Sequence, residues 1–178
     1  NPPILGEGTY AVEHGGSDSA FTAQLRSLRE LVSSSGPRLD LLLGQRQPTA
    51  DASRQLTRSY SPAYDDILLK AKRANDFFLL VGPPGTGKTS MALRFMVEEA
   101  LTDASASLLL MSYTNRAVDE ICAMLDEAAI DYLRIGGAYT CDARFRPHLL
   151  DSRLGATPRL DHVRHTLAAA RVVVATTS

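Results

Sequence analysis

The first hydrophobic pattern along the chain is helical. From Ser17 or Asp18 onward, apolar residues recur every three or four positions on one face, at Phe21, Leu25, Leu28, Leu31 and Val32. Gly36-Pro37 follows as a stop signal. Residues 1–17 are rich in Gly, Pro and Ser and predict a tail or loop, and polar residues 44–60 predict another loop. The apolar run from Leu39 to Leu43 is too short to assign.

Helix-like and strand-like segments alternate from residue 61. Ser61-Pro62 predicts a helix start, with Ser as the cap and Pro in the first turn. The continuous apolar run Phe77 to Val81 predicts a buried parallel strand. The later segments predict a helix over 88–101, strand 108–111, helix 117–129, strand 132–135, an irregular stretch 136–158, helix 159–170 and strand 172–175. This order indicates an α/β fold, a parallel sheet with helices on both faces.

Composition narrows the function classes. Hydrophobic residues make up 44% of 178 residues, enough for a packed core, and the net charge of −1 argues against a globally basic nucleic-acid binder. Residues 131–171 nevertheless carry seven Arg against four Asp, which is either a phosphate-attracting face or an ordinary charged surface. Cys122 and Cys141 cannot form a disulfide framework and fit a reduced, intracellular protein, cytoplasmic or nuclear. No apolar run is long enough for a membrane span, so no membrane partner is expected.

The strongest chemical signal is a glycine-rich loop between the predicted strand at 77–81 and the predicted helix at 88–101. Gly82, Gly85, Gly87, Lys88 and Thr89 match the phosphate-binding P-loop (Walker A) motif G-x-x-x-x-G-K-[ST]. The glycines let backbone N–H groups wrap an anion, and the helix start adds its positive dipole end. We therefore expect ATP and Mg²⁺ as cofactors, with the whole set contributing to nucleotide binding: Gly82, Pro83, Pro84, Gly85, Thr86, Gly87, Lys88, Thr89 and Ser90.

Two residues of this loop have specific expected roles. Lys88 is predicted to reach the β- and γ-phosphates, and Thr89 to ligate Mg²⁺ through its hydroxyl. Pro83, Pro84 and Thr86 are not required by the chemistry, so loop stiffening is their simplest role. The motif alone predicts nucleotide binding but does not choose among the machines that use it.

A second motif, after the second predicted strand, gives the family. Ser112 to Ile121 reads Ser-Tyr-Thr-Asn-Arg-Ala-Val-Asp-Glu-Ile, and with the phosphate loop it resembles motifs I and Ia of superfamily 1 helicases. The likeness is to the branch that includes the nonsense-mediated decay RNA helicase and the DNA replication nuclease-helicases. Leu133-Arg-Ile-Gly136 and Ala175-Thr-Thr-Ser178 resemble further strands of that family. The resemblance implies part of a RecA-like P-loop NTPase fold, a parallel sheet, preceded by a short helical N-terminal region.

The resemblance also implies nucleic-acid contacts. Thr114 and Asn115, and by the same argument Thr176 and Thr177, follow predicted strands and can hold backbone phosphates of single-stranded DNA or RNA without reading sequence. The alternative for Thr114 or Asn115 is a plain helix cap. Asp119 and Glu120 sit within a helical pattern, which favours a solvated face over a catalytic pair.

Two features depart from the family pattern. No apolar run ends in the acidic motif II residues that hold Mg²⁺ for hydrolysis, so the chain alone is expected to hydrolyse ATP poorly and to need the remainder of its own chain, with a second motor domain. Family members usually place an adenine-reading Gln about seventeen residues before the loop. Tyr64, Asp65 and Asp66 occupy that neighbourhood here, and core packing is favoured over base stacking for Tyr64.

These expectations combine into one prediction with two alternatives. Residues 1–60 are predicted to form a tail, helix and loop, and 61–178 the N-terminal part of a RecA-like ATPase domain with an insertion at 136–170. The chain, lacking an initial Met, is expected to be part of a longer ATP-dependent helicase. An AAA+ remodelling ATPase explains the loop equally well but leaves the Thr-Asn-Arg-Ala-Val-Asp motif unexplained. The other alternative is a nucleotide-binding regulatory module that keeps the loop without catalysis.

Overall fold

The computed structural model describes residues 19–83, 85–155 and 159–177. Residues 1–18, Pro84 of the phosphate loop, residues 156–158 and Ser178 lie outside the described residues. The chain divides into two compact units, Asn1–Arg46 and Gln47–Ser178. The predicted division at residue 60 concerns functional domains and stays a prediction.

The first unit contains two helices. The predicted amphipathic helix is confirmed as α1, Ser19–Ser33. Its apolar stripe is exposed, with Phe21, Leu25, Leu28 and Val32 each more than half accessible. The short apolar run that the pattern left unassigned belongs to α2, Pro37–Leu42, which starts at the proline because its fixed φ suits the first helical turn.

The second unit alternates helices and strands. Its α-helices are α3 (Asp65–Arg73), α4 (Arg94–Ala100), α5 (Asn115–Glu127), α6 (Leu150–Leu154) and α7 (Leu160–Ala169). A π-helical segment, Lys88–Leu93, leads directly into α4, so the predicted helix after the phosphate loop is confirmed. Two 3₁₀ helices, Ala138–Thr140 and Ala143–His148, occupy the predicted irregular stretch. The strands are β1 (Leu108–Ser112), β2 (Leu133–Ile135) and β3 (Val172–Thr176).

The three strands form one parallel sheet in the order β1-β3-β2. Leu108 pairs with Val172 at one end of the β1-β3 ladder and Ser112 with Thr176 at the other. Successive parallel strands need crossover connections: α5 connects β1 to β2, which lie on either side of β3, and α6 with α7 connect β2 to its neighbour β3. This arrangement confirms the α/β class and is that of a partial P-loop NTPase fold.

The core lies where α5 packs on the sheet. Val118, Cys122 and Leu125 on α5 are completely buried, as are Val172 and Val174 on β3. Full burial of a Val or Leu side chain contributes about 1.5–3 kcal/mol. This contact therefore fixes the position of α5, and with it the segment between β1 and α5.

Two predictions about the sheet are wrong. The run Phe77 to Val81 forms no strand, and Leu79 and Val81 are 76% and 92% exposed. An apolar run cannot specify its hydrogen-bonding partner, and the centre of this sheet is taken by β3. The sheet is also not covered on both faces within the described residues, because Leu109 and Met111 of β1 stay 61% and 48% exposed.

The predicted cap of α3 is wrong as well. The helix begins at Asp65, four residues after Ser61, and Ser61 does not cap it. Instead the Asp65 carboxylate accepts the backbone N–H groups of Tyr60 (2.9 Å) and Ser61 (3.0 Å). The Asp65 carboxylate in the first turn therefore stabilises the loop before the helix, whereas the predicted cap had the Ser61 hydroxyl stabilising the start of the helix.

Residues 47–60 join the second unit through a buried carboxylate on α4. Glu99 is 5% exposed and accepts the Thr57 N–H (3.0 Å), the Thr57 hydroxyl (2.6 Å) and the Tyr60 hydroxyl (2.7 Å). Lys72 of α3 completes the cluster with an ion pair. Burial alone raises the pKa of Glu99, but these four donors outweigh it and lower the pKa from 4.5 to about 2. One ionised side chain therefore ties the loop, α3 and α4 together.

Candidate nucleotide and nucleic-acid sites

The phosphate loop turns through two left-handed glycines. Gly85 has φ 78° and Gly87 has φ 74°, conformations that non-glycine residues adopt rarely. Gly87 immediately precedes the helical segment that starts at Lys88. Since glycine has no side chain to cap the helix, the first N–H groups of that segment keep their capacity to bind an anion.

Lys88 folds back over its own loop. Its ammonium donates to the carbonyl oxygens of Gly82 and Pro83, the latter at 2.5 Å. The Thr86 hydroxyl donates to the same Pro83 carbonyl at 2.8 Å. These bonds hold the positive charge of Lys88 within the loop, where a phosphate would compete with neutral carbonyls for it.

The predicted nucleotide-binding residues line two cavities. One, of about 420 Å³, is bordered by Gly85, Gly87, Lys88, Thr89 and Ser90 and by Glu120 and Glu127 of α5. The other, of about 260 Å³, includes Gly82, Pro83, Thr86 and Lys88 together with Tyr64. Within the described part of the chain the structure thus brings the predicted set together. The two carboxylates of α5 repel anions, whereas the N–H groups of the loop backbone and the Lys88 ammonium attract them.

The acidic neighbours on α5 divide into two kinds. Glu120 is exposed and lies 3.8 Å from Arg116, as expected for a solvated face. The same expectation is wrong for Asp119, which pairs with Arg134, an arginine that is only 1% exposed. Among the described residues, no group of three or more His, Cys, Asp or Glu side chains could hold a metal ion. The Mg²⁺ role of Thr89 stays a prediction.

The predicted nucleic-acid contacts share one edge of the sheet. Ser112 pairs with Thr176, and the Thr177 N–H donates to the Ser112 carbonyl at 3.0 Å, so the carboxyl ends of β1 and β3 lie side by side. Thr114 is exposed and caps α5 by accepting the Ala117 N–H at 3.2 Å, which bears out the capping alternative. Capping uses the oxygen as an acceptor and leaves the hydroxyl proton able to donate to a phosphate.

Tyr113 is a candidate that the sequence argument missed. It follows β1 directly, beside Thr114, and its side chain is 82% exposed. An aromatic residue directly after a predicted strand, beside Thr114 and Asn115, is the signal that could have identified it, because aromatic rings at such a position can stack on nucleic-acid bases. Its exposed ring and the neighbouring hydroxyls offer stacking and phosphate contacts at one edge.

The arginine excess over residues 131–171 is mostly used within the protein. Arg153 pairs with Asp131 (2.6 Å) and Arg144 with Asp142 (3.3 Å). Arg171 donates to main-chain carbonyls, including that of Leu101 at 3.0 Å. Within the described residues, three arginines of the stretch are without an ion pair, Arg146, Arg164 and Arg171, and the last of these is held by main-chain carbonyls. The structure therefore favours an ordinary charged surface over a phosphate-attracting face here.

The two cysteines are buried free thiols, as expected for Cys122 on the apolar stripe of α5. Burial raises the pKa of the Cys122 thiol, although Tyr132 and Arg134 nearby act in the opposite direction. A thiol held protonated in this way is a poor nucleophile, so both cysteines are core residues.

No helix in the described ranges is long and apolar enough to cross a membrane.

Comparison with known proteins gives matches over the same region. A family model described as an AAA domain (AAA_11) matches residues 63–171. The DNA replication ATP-dependent helicase/nuclease JHS1 of Arabidopsis thaliana is 45% identical over 69 residues, 39% of this chain. The DNA replication ATP-dependent helicase/nuclease DNA2 of Saccharomyces cerevisiae is 39% identical over 67 residues, 38% of this chain. DNA2 of Gallus gallus is 32% identical over 93 residues, 52% of this chain. The matched segments make up 5%, 4% and 9% of these three relatives.

Proposed function

The chain belongs to the AAA domain family AAA_11 and to the superfamily 1 helicases, and from this premise we propose that it carries the ATP phosphate-binding element of a nucleic-acid helicase or translocase. The observation that carries the proposal is the loop of Gly85, Gly87 and Lys88. Its left-handed glycines and uncapped helix start are suited to an anion with several oxygens.

In this proposal ATP·Mg²⁺ binds through its phosphates. The backbone of the 82–87 loop and the N–H groups of Thr89 and Ser90 hold phosphate oxygens, and Lys88 leaves its carbonyl partners to bind the β- and γ-phosphates. Thr89 supplies a hydroxyl to Mg²⁺, which neutralises phosphate charge when bound. Adenine selectivity is not assigned to a residue, because Asp65, in the neighbourhood of the family glutamine, is engaged with the loop before α3.

The second proposed site binds a single nucleic-acid strand. Tyr113 stacks on a base while Thr114, Asn115, Thr176 and Thr177 contact backbone phosphates at the shared edge of β1 and β3. The names of the relatives refer to DNA replication, so we propose single-stranded DNA first, with RNA as the alternative. A replication role would locate the protein inside the cell.

We further propose that this chain alone binds ATP but hydrolyses it poorly. Among the described residues, no strand is followed directly by Asp or Glu: β1 leads to Tyr113, β2 to Gly136 and β3 to Thr177. A carboxylate at such a position holds Mg²⁺ in this class of enzymes. The matched segments make up 5% and 4% of the JHS1 and DNA2 relatives, and we propose a second motor domain as the partner that completes hydrolysis.

ATP binding can be measured by calorimetry on the purified chain with and without Mg²⁺. Lys88→Ala is expected to weaken binding by about 10- to 100-fold, because a hydrogen bond to a charged group contributes about 1.5–3 kcal/mol. Lys70→Ala is the matched control, since Lys70 is an exposed lysine paired with Asp66 on α3. Equal binding by the Lys88 and Lys70 variants would contradict the phosphate role, and rapid ATP turnover by the wild-type chain would contradict poor hydrolysis.

Strand binding can be measured by fluorescence anisotropy with a labelled oligo(dT). Tyr113→Ala is expected to weaken binding by about 5- to 100-fold, from about 1–3 kcal/mol for base stacking. Tyr139→Ala is the matched control, because Tyr139 is a fully exposed tyrosine in a 3₁₀ helix after β2, outside the segments that follow β1 and β3. The same experiment with oligo(U) compares DNA with RNA. Equal loss in both variants would argue against a site at the strand ends.

The two alternatives are less well supported. An AAA+ remodelling ATPase accounts for the phosphate loop but not for the exposed Tyr113-Thr114-Asn115 segment at the sheet edge. The relatives reported above are named as helicase/nucleases. A regulatory module without catalysis predicts that Lys88→Ala in the longer protein leaves its cellular phenotype unchanged.

A further inference from the structure

Tyr64 contacts the phosphate loop from outside the predicted nucleotide-binding set. Its hydroxyl donates to the Thr86 carbonyl at 3.1 Å, across 22 positions of sequence. The ring also borders the smaller cavity beside Gly82 and Lys88. Its position favours core packing, and the hydrogen bond to Thr86 gives this residue a second role.

Aromatic packing holds the Tyr64 ring in place. Tyr64 is the residue before α3, and its ring meets Phe95 of α4 edge to face, with centroids 5.9 Å apart and an interplanar angle of 72°. Tyr60 packs on the same phenylalanine at 5.5 Å. Edge-to-face aromatic pairs are favourable, so the hydroxyl is directed at the loop by a side chain that has little freedom to turn away.

The loop makes room for this hydroxyl at Gly87. A Cβ at that position would lie 2.6 Å from the Tyr64 oxygen, closer than van der Waals contact allows. Gly87 therefore serves two purposes, because its φ of 74° also favours glycine. The close approach places the tyrosine against the peptide unit that joins Thr86 to Gly87.

When the orientation of the Thr86–Gly87 peptide is fixed, the direction of the Gly87 N–H is fixed as well. In a planar trans peptide the C=O and the following N–H point in opposite directions. Because the Thr86 carbonyl is held toward Tyr64, the Gly87 N–H points away from it. An inverted peptide would remove this donor from a bound phosphate and present a carbonyl oxygen instead.

We propose that Tyr64 is a positioning residue, which orients the Thr86–Gly87 peptide so that the loop binds the phosphate chain of a nucleotide. The inference rests on the proposed function of the loop and adds a residue to it. Tyr64 acts through the backbone and does not touch the nucleotide base. The probe that isolates this role is inorganic tripolyphosphate, which has the phosphate chain without a base or sugar.

The test measures binding of Mg-ATP and of tripolyphosphate to the whole 178-residue chain and to Tyr64→Phe. Loss of one neutral hydrogen bond is expected to weaken both ligands by the same factor, roughly two- to tenfold. The melting temperature should change little, since Phe keeps the packing on Phe95. Hydrogen exchange at the Gly87 amide should become faster, which a purely structural role elsewhere would not cause.

Tyr60→Phe is the matched control. Tyr60 packs on the same Phe95, but its hydroxyl donates to Glu99 rather than to the loop. This variant should lose stability and keep its affinity for tripolyphosphate. If Tyr64→Phe instead loses stability without losing affinity, the positioning role is refuted.

The remaining outcomes distinguish the role of Tyr64 from the phosphate-binding role of the loop. Weaker ATP binding with unchanged tripolyphosphate binding would indicate a contact to the base and overturn the inference. Unchanged binding of both ligands would overturn it as well, while leaving the phosphate loop intact. Failure of the wild-type chain to bind either ligand would overturn the proposed function itself.

Discussion

Replacing Glu99 with glutamine removes a buried negative charge that ties residues 47–60, α3 and α4 together. Glutamine keeps the shape of the side chain, and its amide can turn its oxygen toward Lys72 and the Thr57 N–H. The hydroxyls of Thr57 and Tyr60 can then rotate to accept from the NH₂ group. The substitution therefore leaves the hydrogen bonds close to complete and removes mainly the negative charge beside Lys72.

The magnitude follows from the lowered pKa of Glu99. The pKa falls from 4.5 to about 2, despite burial that opposes ionisation, because Lys72, Thr57 and Tyr60 donate to the carboxylate. A tenfold change in proton affinity corresponds to about 1.4 kcal/mol, so ionised Glu99 contributes about 3 kcal/mol to the free energy of unfolding. That is a large fraction of the typical stability of a domain.

The sign of the pH dependence follows from the direction of the shift. A carboxyl group with a depressed folded-state pKa stabilises the protein fully above its unfolded pKa of 4.5. The contribution is lost as the pH falls toward about 2, because the unfolded chain takes up the proton first. At about pH 3, more than half of it should be gone.

Urea unfolding of the wild type and Glu99→Gln at about pH 7 and about pH 3 tests this reasoning. The difference in unfolding free energy should be about 3 kcal/mol at the higher pH and clearly smaller at the lower pH. Asp66→Asn is a suitable control, because Asp66 is an exposed partner of Lys70 on α3 and should change stability by less than about 1 kcal/mol. A difference that stays constant between the two pH values would refute the linkage argument.

Two further substitutions test the fold around the sites. Asp119→Asn leaves the buried Arg134 without its counter-charge and should lower the free energy of unfolding in urea by about 3 kcal/mol. Adding Arg134→Met should recover part of that loss, since no charge then stays buried. Equal stability of the single and double variants would contradict this account. Gly87→Ala should lower the free energy of unfolding, measured by chemical denaturation, by about 1–3 kcal/mol, because of the positive φ and the close Tyr64 hydroxyl. The loss should be smaller when Tyr64 is replaced by Phe. A cost independent of residue 64 would exclude the steric contribution.

The helices and the sheet class could be predicted because their signals are local. The apolar spacing of α5 and the turns that flank β1 and β3 depend only on residues close together in the sequence. The phosphate-loop glycines Gly85 and Gly87 likewise adopt the left-handed backbone that their motif requires. Asp119 shows the limit of such reasoning. Its place in a helical pattern suggested solvent, yet Arg134, fifteen residues later, lies against it and buries its own charge.

The sequence by itself determined that this chain has a phosphate loop, a helicase-like second motif and an alternating α/β order. Tertiary structure decided which strands pair, since the run from Phe77 to Val81 is apolar enough for a strand but makes no ladder while β3 takes the centre of the sheet. It also decided that Tyr113 is exposed and that Tyr64 reaches Thr86. These outcomes depend on contacts between distant residues, and a local pattern carries no information about the partner that a side chain or a strand edge will meet.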